Sequence, residues 1–222
     1  MSSLYYTTCH TLLRGLLPLA LTVEMRGIEH IPAQGPCLLV GNHLSYVDPV
    51  CLMASMPRRF HGMAKAELFE NPLMNMLLSG LDPIKVHRRG VDRQALSQAE
   101  VYLKQGKVVM VYAEGTRSKT GEVQEAHAGV VFLAQRTGAP IVPVATSGTD
   151  KVFRKHFPWY HRSHVRLMFG EAFHLADLGE VTRYNRHQLA QEVMARVAAL
   201  LPPAYQGVYG SNPPPPPGRT VR

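Results

Sequence analysis

The stretch Gly41-Asn42-His43-Leu44-Ser45-Tyr46-Val47-Asp48-Pro49 follows an apolar run, Cys37 to Val40, that is typical of a buried strand. Asp48 and Pro49 together predict a helix start, with the aspartate as N-cap and the proline in the first turn. His43 is therefore expected on a loop between a strand and a helix. A carboxylate five residues further on can hold the imidazole in one tautomer, so that the ring can take a proton from a substrate hydroxyl.

The spacing of this pair is weak as a signal on its own. About one chain in four of this length and composition would contain a His-x4-Asp pair by chance. The alternative interpretation is a loop histidine beside an ordinary helix cap, so the rest of the chain has to decide between the two.

Length and composition predict one ordered globular domain. The chain has 222 residues, of which 45% are hydrophobic and 18% charged. Its net charge of +8 favours anionic partners, namely phosphates, nucleic acid or an acidic membrane surface. Three scattered cysteines without a CxxC pair indicate a reducing compartment, and they argue against both a disulfide framework and a zinc site.

The chain divides into three predicted parts. Residues 1–26 are expected to form an amphipathic, membrane-associating segment, residues 27–201 the main domain, and residues 202–222 a proline-rich, disordered tail. The stretch from Leu4 to Val23 is apolar but is interrupted by Arg14, and a spanning helix needs about 20 apolar residues. An interfacial helix, or a helix that packs on the domain's own core, fits better.

Strands and helices alternate along the main domain. This alternation predicts an α/β fold with a central, largely parallel sheet flanked by helices. Pro143, inside an apolar run, indicates an edge strand or a bulge. The predicted strands cover 37–40, 60–64, 84–86, 108–112, 141–145 and 164–169, and the predicted helices 49–55, 71–80, 93–105, 129–137 and 185–201.

Three polar clusters follow predicted strands: Asn42-His43 with Asp48, Lys85 to Arg88, and Glu114 to Arg117. Ligands of open α/β sheets bind at the carboxyl ends of strands, so these clusters predict one pocket. Glycine in the third cluster allows close backbone approach, and the following threonine and arginine supply donors for a phosphate. The alternative for this cluster is a turn with a solvated ion pair.

Four blocks in order resemble the PlsC-like glycerophospholipid acyltransferases. Asn42 to Asp48 is similar to the family's NHxxxxD block, and Lys65 through Arg88 resembles the second block, which ends in arginine. Tyr112 to Ser118 resembles FPEGTRS, and Ile141 to Val144 resembles the fourth block. The resemblance covers roughly residues 25 to 175.

Two positions depart from the family's pattern. Ala113 stands where the family has proline before Glu-Gly-Thr-Arg, and His87 stands where an acidic or polar residue precedes the second block's arginine. Neither change removes a catalytic side chain, so the departures bear on substrate preference more than on activity.

The resemblance implies a glycerol-3-phosphate acyltransferase-like fold over residues 27–201. It further implies acyl transfer from acyl-CoA or acyl carrier protein to the free hydroxyl of lysophosphatidic acid, giving phosphatidic acid. His43 would be the base and Asp48 its partner. The residues implied in substrate binding are Asn42, Lys65, Arg88, Glu114, Gly115, Thr116, Arg117 and Pro143.

The same resemblance implies neither a metal nor a cofactor beyond the acyl donor as co-substrate. The expected partners are a lysophospholipid, acyl-CoA or acyl carrier protein, and a membrane surface, without nucleic acid. The expected location is peripheral, at the cytoplasmic face of the cell membrane.

A second basic stretch leaves alternatives open. Lys151 to Arg166 interleaves aromatic and basic residues without an acidic one, which suits an anionic membrane, single-stranded nucleic acid or a solvated loop. The whole chain could also use another lysophospholipid or an aminolipid as acceptor, or be a basic nucleic-acid-binding module. No G-x-S-x-G elbow of a hydrolase is present.

Overall fold

The computed structural model describes residues 3–87, 92–152 and 163–210, and these ranges form the predicted α/β fold. The strands are β1 (Leu21–Arg26), β2 (Cys37–Gly41), β3 (Phe60–Lys65), β4 (Ile84–Val86), β5 (Val108–Tyr112), β6 (Ile141–Ser147) and β7 (Ser163–Phe169). The α-helices are α1 (Ser3–Ala20), α2 (Asp48–Ser55), α3 (Pro72–Ser79), α4 (Arg93–Lys104), α5 (Gly129–Thr137) and α6 (Arg186–Ala199).

The strands form one sheet in the order β1-β7-β6-β2-β5-β3-β4. Five of the neighbouring pairs are parallel, and only β6 and β7 run antiparallel. The prediction of a largely parallel sheet is thus confirmed. Because β2, β3, β5 and β6 point the same way, the loops that follow them lie at one edge of the sheet, called here the carboxyl edge.

Local sequence explains where several helices begin and end. The side chain of Asn71 accepts hydrogen bonds from the amides of Leu73 and Met74 at the start of α3. Asp92 does the same for Gln94 and Ala95 at the start of α4. Such caps satisfy amides that have no partner within the helix.

Helices cover both faces of the sheet with two apolar cores. On one face, buried residues of β2 and β5 pack against α4, α5 and α6, through residues such as Leu103, Leu133 and Met194. On the other face, the same strands pack against α1 and α2, through residues such as Tyr6 and Leu52. Helices on both faces leave the carboxyl edge of the sheet open for a site.

The predicted boundary of the N-terminal segment, at residue 26, lies too far along the chain. Residues Leu21–Arg26 form β1, which pairs with β7 from Leu21 opposite Ser163 to Arg26 opposite Met168. Sheet pairing and the burial of Leu21 against the core make this strand part of the domain. Within this segment, the candidate for membrane association is therefore α1, residues Ser3–Ala20.

Helix α1 has one packed face and one exposed apolar face. Tyr6 is buried, and Leu13 and Leu17 pack partly against the core. The exposed large apolar side chains of α1 are Leu4, Leu12, Leu16 and Leu19. Among the described residues, no helix is both long and apolar enough to cross a membrane.

Pro143 lies on an inner strand of the sheet, which excludes the edge strand but not the bulge that the sequence analysis gave as the alternative. Strand β6 is flanked by β2 and β7. The Pro143 carbonyl accepts a hydrogen bond from Gly170, just beyond the first β6–β7 pair, Val144 with Phe169. In a strand, the N–H and the C=O of one residue point towards the same neighbouring strand. The N–H that Pro143 lacks would therefore point towards β7, so β6 loses no hydrogen bond to β2.

The disorder that is predicted for residues 202–222 is wrong for residues 203–209. Residues Pro203–Tyr205 and Gly207–Tyr209 form two short 3-10 helices against the core. The Tyr205 carbonyl accepts a hydrogen bond from the Val123 amide, at 2.9 Å. Two tyrosines among the prolines give this stretch enough apolar surface to pack, and residues 211–222 lie outside the described ranges.

Candidate active site

The loops that follow β2 and β5 are joined at the carboxyl edge. The Ala113 amide donates to the Gly41 carbonyl at 3.3 Å, and the Ser118 amide donates to the His43 carbonyl at 2.7 Å. Between them, the His43 amide donates to Glu114 Oε1 at 2.9 Å. The structure therefore brings the first and third polar clusters together.

His43 and Asp48 form a directly bonded pair. His43 Nδ1 lies 2.7 Å from Asp48 Oδ2, and the same oxygen accepts the amides of Leu44 at 2.7 Å and Ser45 at 2.8 Å. An ionised carboxylate only accepts, so Nδ1 carries a proton and Nε2 keeps a lone pair. Asp48 is fully buried, while the His43 side chain is 15% exposed and so accessible to a substrate.

The expected N-cap role of Asp48 is wrong. Val47 is the N-cap of α2, and Asp48 is already the first helical residue. The carboxylate of Asp48 turns back to the amides of Leu44 and Ser45 instead of the helix amides. Because these donors and the imidazole converge on one side, the aspartate organises the loop and not the helix start.

Two neighbours of this pair were missed by the sequence analysis. The Thr149 hydroxyl, fully buried just after β6, donates to Asp48 Oδ1. The Tyr112 ring stacks on the His43 ring, with centroids 4.1 Å apart and an angle of 14° between the planes. Thr149 fixes the carboxylate of Asp48 and Tyr112 fixes the imidazole of His43, so both groups are held in place before the substrate binds. The position of Thr149 at the carboxyl end of a strand was the signal that could have indicated it.

Asn42 does not have the predicted role in substrate binding. Its side chain is fully buried. Asn42 Nδ2 donates to the Thr146 carbonyl at 2.9 Å, and Oδ1 accepts the Thr146 amide at 2.8 Å. With both amide atoms bonded to the backbone of β6, Asn42 ties the His43 loop to the neighbouring strand. Pro143, also predicted to bind substrate, is a buried strand residue in contact range of Gly170.

Glu114 holds the loop through hydrogen bonds from two backbone amides. It is 4% exposed, and its two carboxylate oxygens accept the amides of His43 at 2.9 Å and Gln124 at 3.2 Å. Burial raises the pKa of Glu114 to about 7, the charge of Asp48 adds to this effect, and the two amide bonds oppose it. Glu114 thus shapes the site through backbone contacts.

This raised pKa predicts a pH dependence of stability. Between about pH 4.5 and about pH 7 the folded protein holds a proton on Glu114 that the unfolded chain releases. The free energy of unfolding should therefore fall as pH rises through this window, by up to about 3 kcal/mol from this group. Urea denaturation of wild type and Glu114→Gln at about pH 5 and about pH 8 checks this. The variant should show a smaller fall, whereas exposed Glu122→Gln should match wild type; equal falls for all three proteins would contradict the assignment.

Gly115 is required by the turn after β5. Its φ of +69° lies in the left-handed region, and an added Cβ would lie 2.8 Å from His127 Cδ2. A side chain at this position would therefore both strain the backbone and clash. Thr116, the next residue, is exposed at the same turn.

Arg117 lies against the His43–Asp48 loop. Its guanidinium carbon is 3.6 Å from the ring centroid of Tyr46, and Arg117 Nη2 donates to the Tyr46 hydroxyl at 2.9 Å. Stacking orients the planar guanidinium without neutralising its charge. A partly exposed, oriented cation therefore lies beside the imidazole loop.

The second polar cluster is only partly described. Lys65 ends β3 at the carboxyl edge and pairs with Glu67 Oε1 at 3.2 Å. Lys85, on β4, places its ammonium 4.3 Å from the ring centroid of Phe69. Arg88, the predicted phosphate-binding residue of this cluster, lies outside the described residues, and so does most of the aromatic and basic stretch, residues 153–162.

Cysteine chemistry is disfavoured in the core. Burial raises the pKa of both Cys37 and Cys51 to about 12, so neither forms a thiolate near neutral pH. Within the ranges 3–87, 92–152 and 163–210, no group of three or more His, Cys, Asp or Glu side chains is arranged to hold a metal.

Comparison with known proteins identifies the family of this chain. The family model described as Acyltransferase matches residues 22–147. The 1-acyl-sn-glycerol-3-phosphate acyltransferase of Bacillus subtilis is 29% identical over 185 residues, covering 82% of this chain and 88% of that protein. The protein of the same name from Pseudomonas aeruginosa is 27% identical over 193 residues, covering 86% and 74%.

A solved structure agrees with these sequence relatives. The crystal structure of the 1-acyl-sn-glycerophosphate (LPA) acyltransferase PlsC from Thermotoga maritima superposes with a TM-score of 0.68 at 25% identity. The alignment covers 85% of this chain and 76% of that one, which confirms the expected fold. The matched range 22–147 contains the joined loops, the His43–Asp48 pair and Arg117, and the chain is an enzyme that belongs to the acyltransferase family.

Proposed function

We propose that this acyltransferase moves an acyl chain from a thioester to the free hydroxyl of a 1-acyl-sn-glycerol 3-phosphate, making phosphatidic acid. The observation that carries the proposal is the His43–Asp48 pair, bonded at 2.7 Å at the carboxyl edge beside an oriented arginine. The relatives named above act on this class of acceptor by their names, and they match most of the chain.

His43 is the general base in this proposal. An alcohol is too weak an acid to attack a thioester unaided, so Nε2 takes the hydroxyl proton as the oxygen attacks the carbonyl carbon. Asp48 then stabilises the imidazolium, and its bond to Thr149 keeps the carboxylate in place. The proton and the new ester bond are thereby accounted for without a nucleophilic residue of the enzyme.

The acyl donor is acyl-CoA or acyl carrier protein. Its carbon–sulfur bond breaks as the ester forms, and the thiolate leaves without prior protonation because the pKa of such a thiol is about 8.5. The proton on His43 then passes to the thiolate or to water. No step of this scheme requires a metal or a further cofactor. That the enzyme needs neither remains a prediction. The net charge of +8 suits either acidic carrier.

Arg117 holds the acceptor's phosphate in this proposal, as Arg88 is predicted to. Arg117→Lys should raise the acceptor's KM about tenfold to a hundredfold, because lysine keeps the charge but loses the bidentate fork, at a cost of about 1.5–3 kcal/mol. The donor's KM should change much less. Arg183→Lys is a matched control, since Arg183 also stacks on a neighbouring tyrosine, at 4.5 Å. Steady-state kinetics that vary donor and acceptor separately decide the matter, and a change confined to the donor's KM would contradict it.

An acceptor panel tests the proposed substrate. Free-thiol release from acyl thioesters is measured with lysophosphatidic acid, with other lysophospholipids and with an aminolipid. Lysophosphatidic acid should give the highest kcat/KM by at least about tenfold, because only its phosphate is a monoester that two guanidinium groups can share. Preference for another acceptor would keep the proposed acyl transfer but would contradict lysophosphatidic acid as the acceptor.

The enzyme is proposed to act at the cytoplasmic face of the membrane as a peripheral protein, with α1 in the interface. The exposed leucines of α1 support this placement. Replacing Leu12 and Leu16 with serine should weaken vesicle binding by about tenfold or more, since a buried leucine contributes roughly 1.5–3 kcal/mol. Flotation with phospholipid vesicles measures the change.

Val208→Ser provides the control for this experiment. Val208 is 62% exposed, but it lies near the end of the described chain and away from α1 in sequence. Equal loss in the two variants would show that general surface hydrophobicity, and not α1, carries the binding.

A further inference from the structure

The edge of the sheet opposite the catalytic loops carries a groove. Strands β3 and β5 begin there, and a cleft of about 380 Å³ is lined by Arg58, Arg59, His61, Asp82, Gly106 and Lys107. A second cleft, of about 260 Å³, shares Arg58 and Arg59 and is lined on its other side by Tyr6, Thr7 and His10 of α1. We call the two adjoining clefts the amino-edge groove. Strands of five or six residues rise about 3.3 Å per residue, so the groove lies about 17–20 Å from the catalytic loops.

The amino-edge groove carries an excess of positive charge. Arg58, Arg59 and Lys107 line it with only one acidic residue, Asp82. Among the described residues, none of the three cations has a carboxylate oxygen within the 4.0 Å of an ion pair. Lys107 instead places its ammonium 4.4 Å from the ring centroid of Tyr102. The charge is therefore available to a ligand.

Two buried nitrogens of the groove have no hydrogen-bond partner among the residues that the structure describes. They are Arg59 Nε and His10 Nε2, and both residues line the second cleft. Buried polar groups are nearly always bonded, and leaving one without a partner costs about 1–3 kcal/mol. An acceptor that enters the groove would satisfy the Arg59 Nε–H, and also His10 when Nε2 carries a proton.

The groove is held in shape by bonds that leave its charge intact. Arg58 donates to the carbonyls of Pro32 at 2.5 Å and Gly35 at 2.8 Å, which are neutral acceptors. Asp82, with a φ of 55°, adopts the left-handed conformation and accepts from His61 Nδ1 through its carbonyl, at 2.9 Å. The Tyr102 hydroxyl donates to the Asp82 carboxylate at 2.9 Å, so the one acidic group already has a partner.

We propose that the amino-edge groove is a second anion site that binds a phosphate group, separate from the catalytic pocket. A cleft of 380 Å³ falls within the range of ligand pockets, about 300–1,000 Å³. Arginine, lysine and unpaired N–H donors are the groups that recognise phosphate oxygens. The same chemistry fits free phosphate and a lipid headgroup, and the inference does not depend on which acceptor the enzyme acylates.

The test uses the full chain and two probes. Binding to phosphatidylcholine vesicles is measured with and without added phosphatidic acid, and thermal unfolding is followed with inorganic phosphate. Lys107→Gln and Arg59→Gln remove one charge each from the groove. Lys104→Gln removes the same charge three residues from Lys107, where the ammonium is already paired with Glu100 at 2.6 Å.

The groove variants should bind phosphatidic acid vesicles about tenfold more weakly than wild type, while Lys104→Gln stays within about twofold. If inorganic phosphate raises the unfolding temperature of wild type and Lys104→Gln but not of Lys107→Gln, free phosphate suffices as ligand. If only the vesicles discriminate, the ligand is the lipid headgroup. Activity of Lys107→Gln on a water-soluble, short-chain acceptor should be unchanged in both cases.

Two results would overturn the proposal. If Lys104→Gln and Lys107→Gln weakened vesicle binding equally, binding would depend on the overall positive charge and not on the groove. A raised KM for the soluble acceptor in both groove variants, with normal unfolding temperatures, would make these residues part of the substrate site.

Discussion

Replacing His43 with alanine is expected to lower kcat by about 10²–10⁴-fold, the contribution of a positioned general base. The fold should survive, because among the described residues the imidazole hydrogen-bonds only Asp48, and its ring stacks on Tyr112. The backbone bonds of His43 to Glu114 and Ser118 do not involve the side chain and remain. Thiol release at saturating donor and acceptor measures the loss.

His187→Ala is the control for this change. His187 lies exposed on α6, which packs on the face of the sheet opposite α2. It should keep wild-type kcat. A His43→Ala enzyme with more than about a tenth of wild-type kcat would remove His43 from the role of base.

Asp48→Asn is expected to lower kcat by a similar factor, about 10²–10⁴-fold, while the protein folds. The amide oxygen can take the place of Oδ2 and accept the amides of Leu44 and Ser45, and the amide nitrogen can donate to Thr149. A neutral amide nevertheless cannot stabilise the imidazolium that forms when His43 takes the proton. Circular dichroism and kcat on the same preparation separate the two effects.

Asp177→Asn makes the same chemical change away from the site. Asp177 accepts the His174 amide at 2.8 Å, a bond that asparagine can also accept. It should leave kcat unchanged. An Asp48→Asn enzyme that turned over as fast as this control would show that Asp48 only organises the loop.

The local part of the site could be predicted from the sequence. A buried strand followed by His43 and Asp48 is a short-range pattern, and the loop that carries it is built from residues within a few positions of each other. The same holds for the turn at Gly115. Alternation of strands and helices likewise predicted the parallel sheet, because each strand is short, apolar and bounded by turn residues.

The missed features depend on contacts between distant parts of the chain. Asn42 bonds Thr146 across 104 positions, and Thr149 reaches Asp48 across 101. A sequence pattern does not show which distant residues bond to each other. It therefore predicts substrate binding for Asn42, and for Thr149 it offers only the position near the carboxyl end of a strand. Strand β1 was missed for the same reason, since its partner β7 lies more than a hundred residues later. The same holds for Tyr205, which packs by meeting Val123.

The central claim is that His43 activates the acceptor's own hydroxyl and that no acyl-enzyme forms. Rapid-mixing measurement of thiol release, with enzyme at a concentration comparable to the acyl thioester, tests it most directly. Without acceptor, the account predicts no burst of thiol; with lysophosphatidic acid, it predicts release in step with phosphatidic acid formation, lost in His43→Ala. A stoichiometric burst of thiol in the absence of acceptor would show a covalent acyl-enzyme and contradict the account.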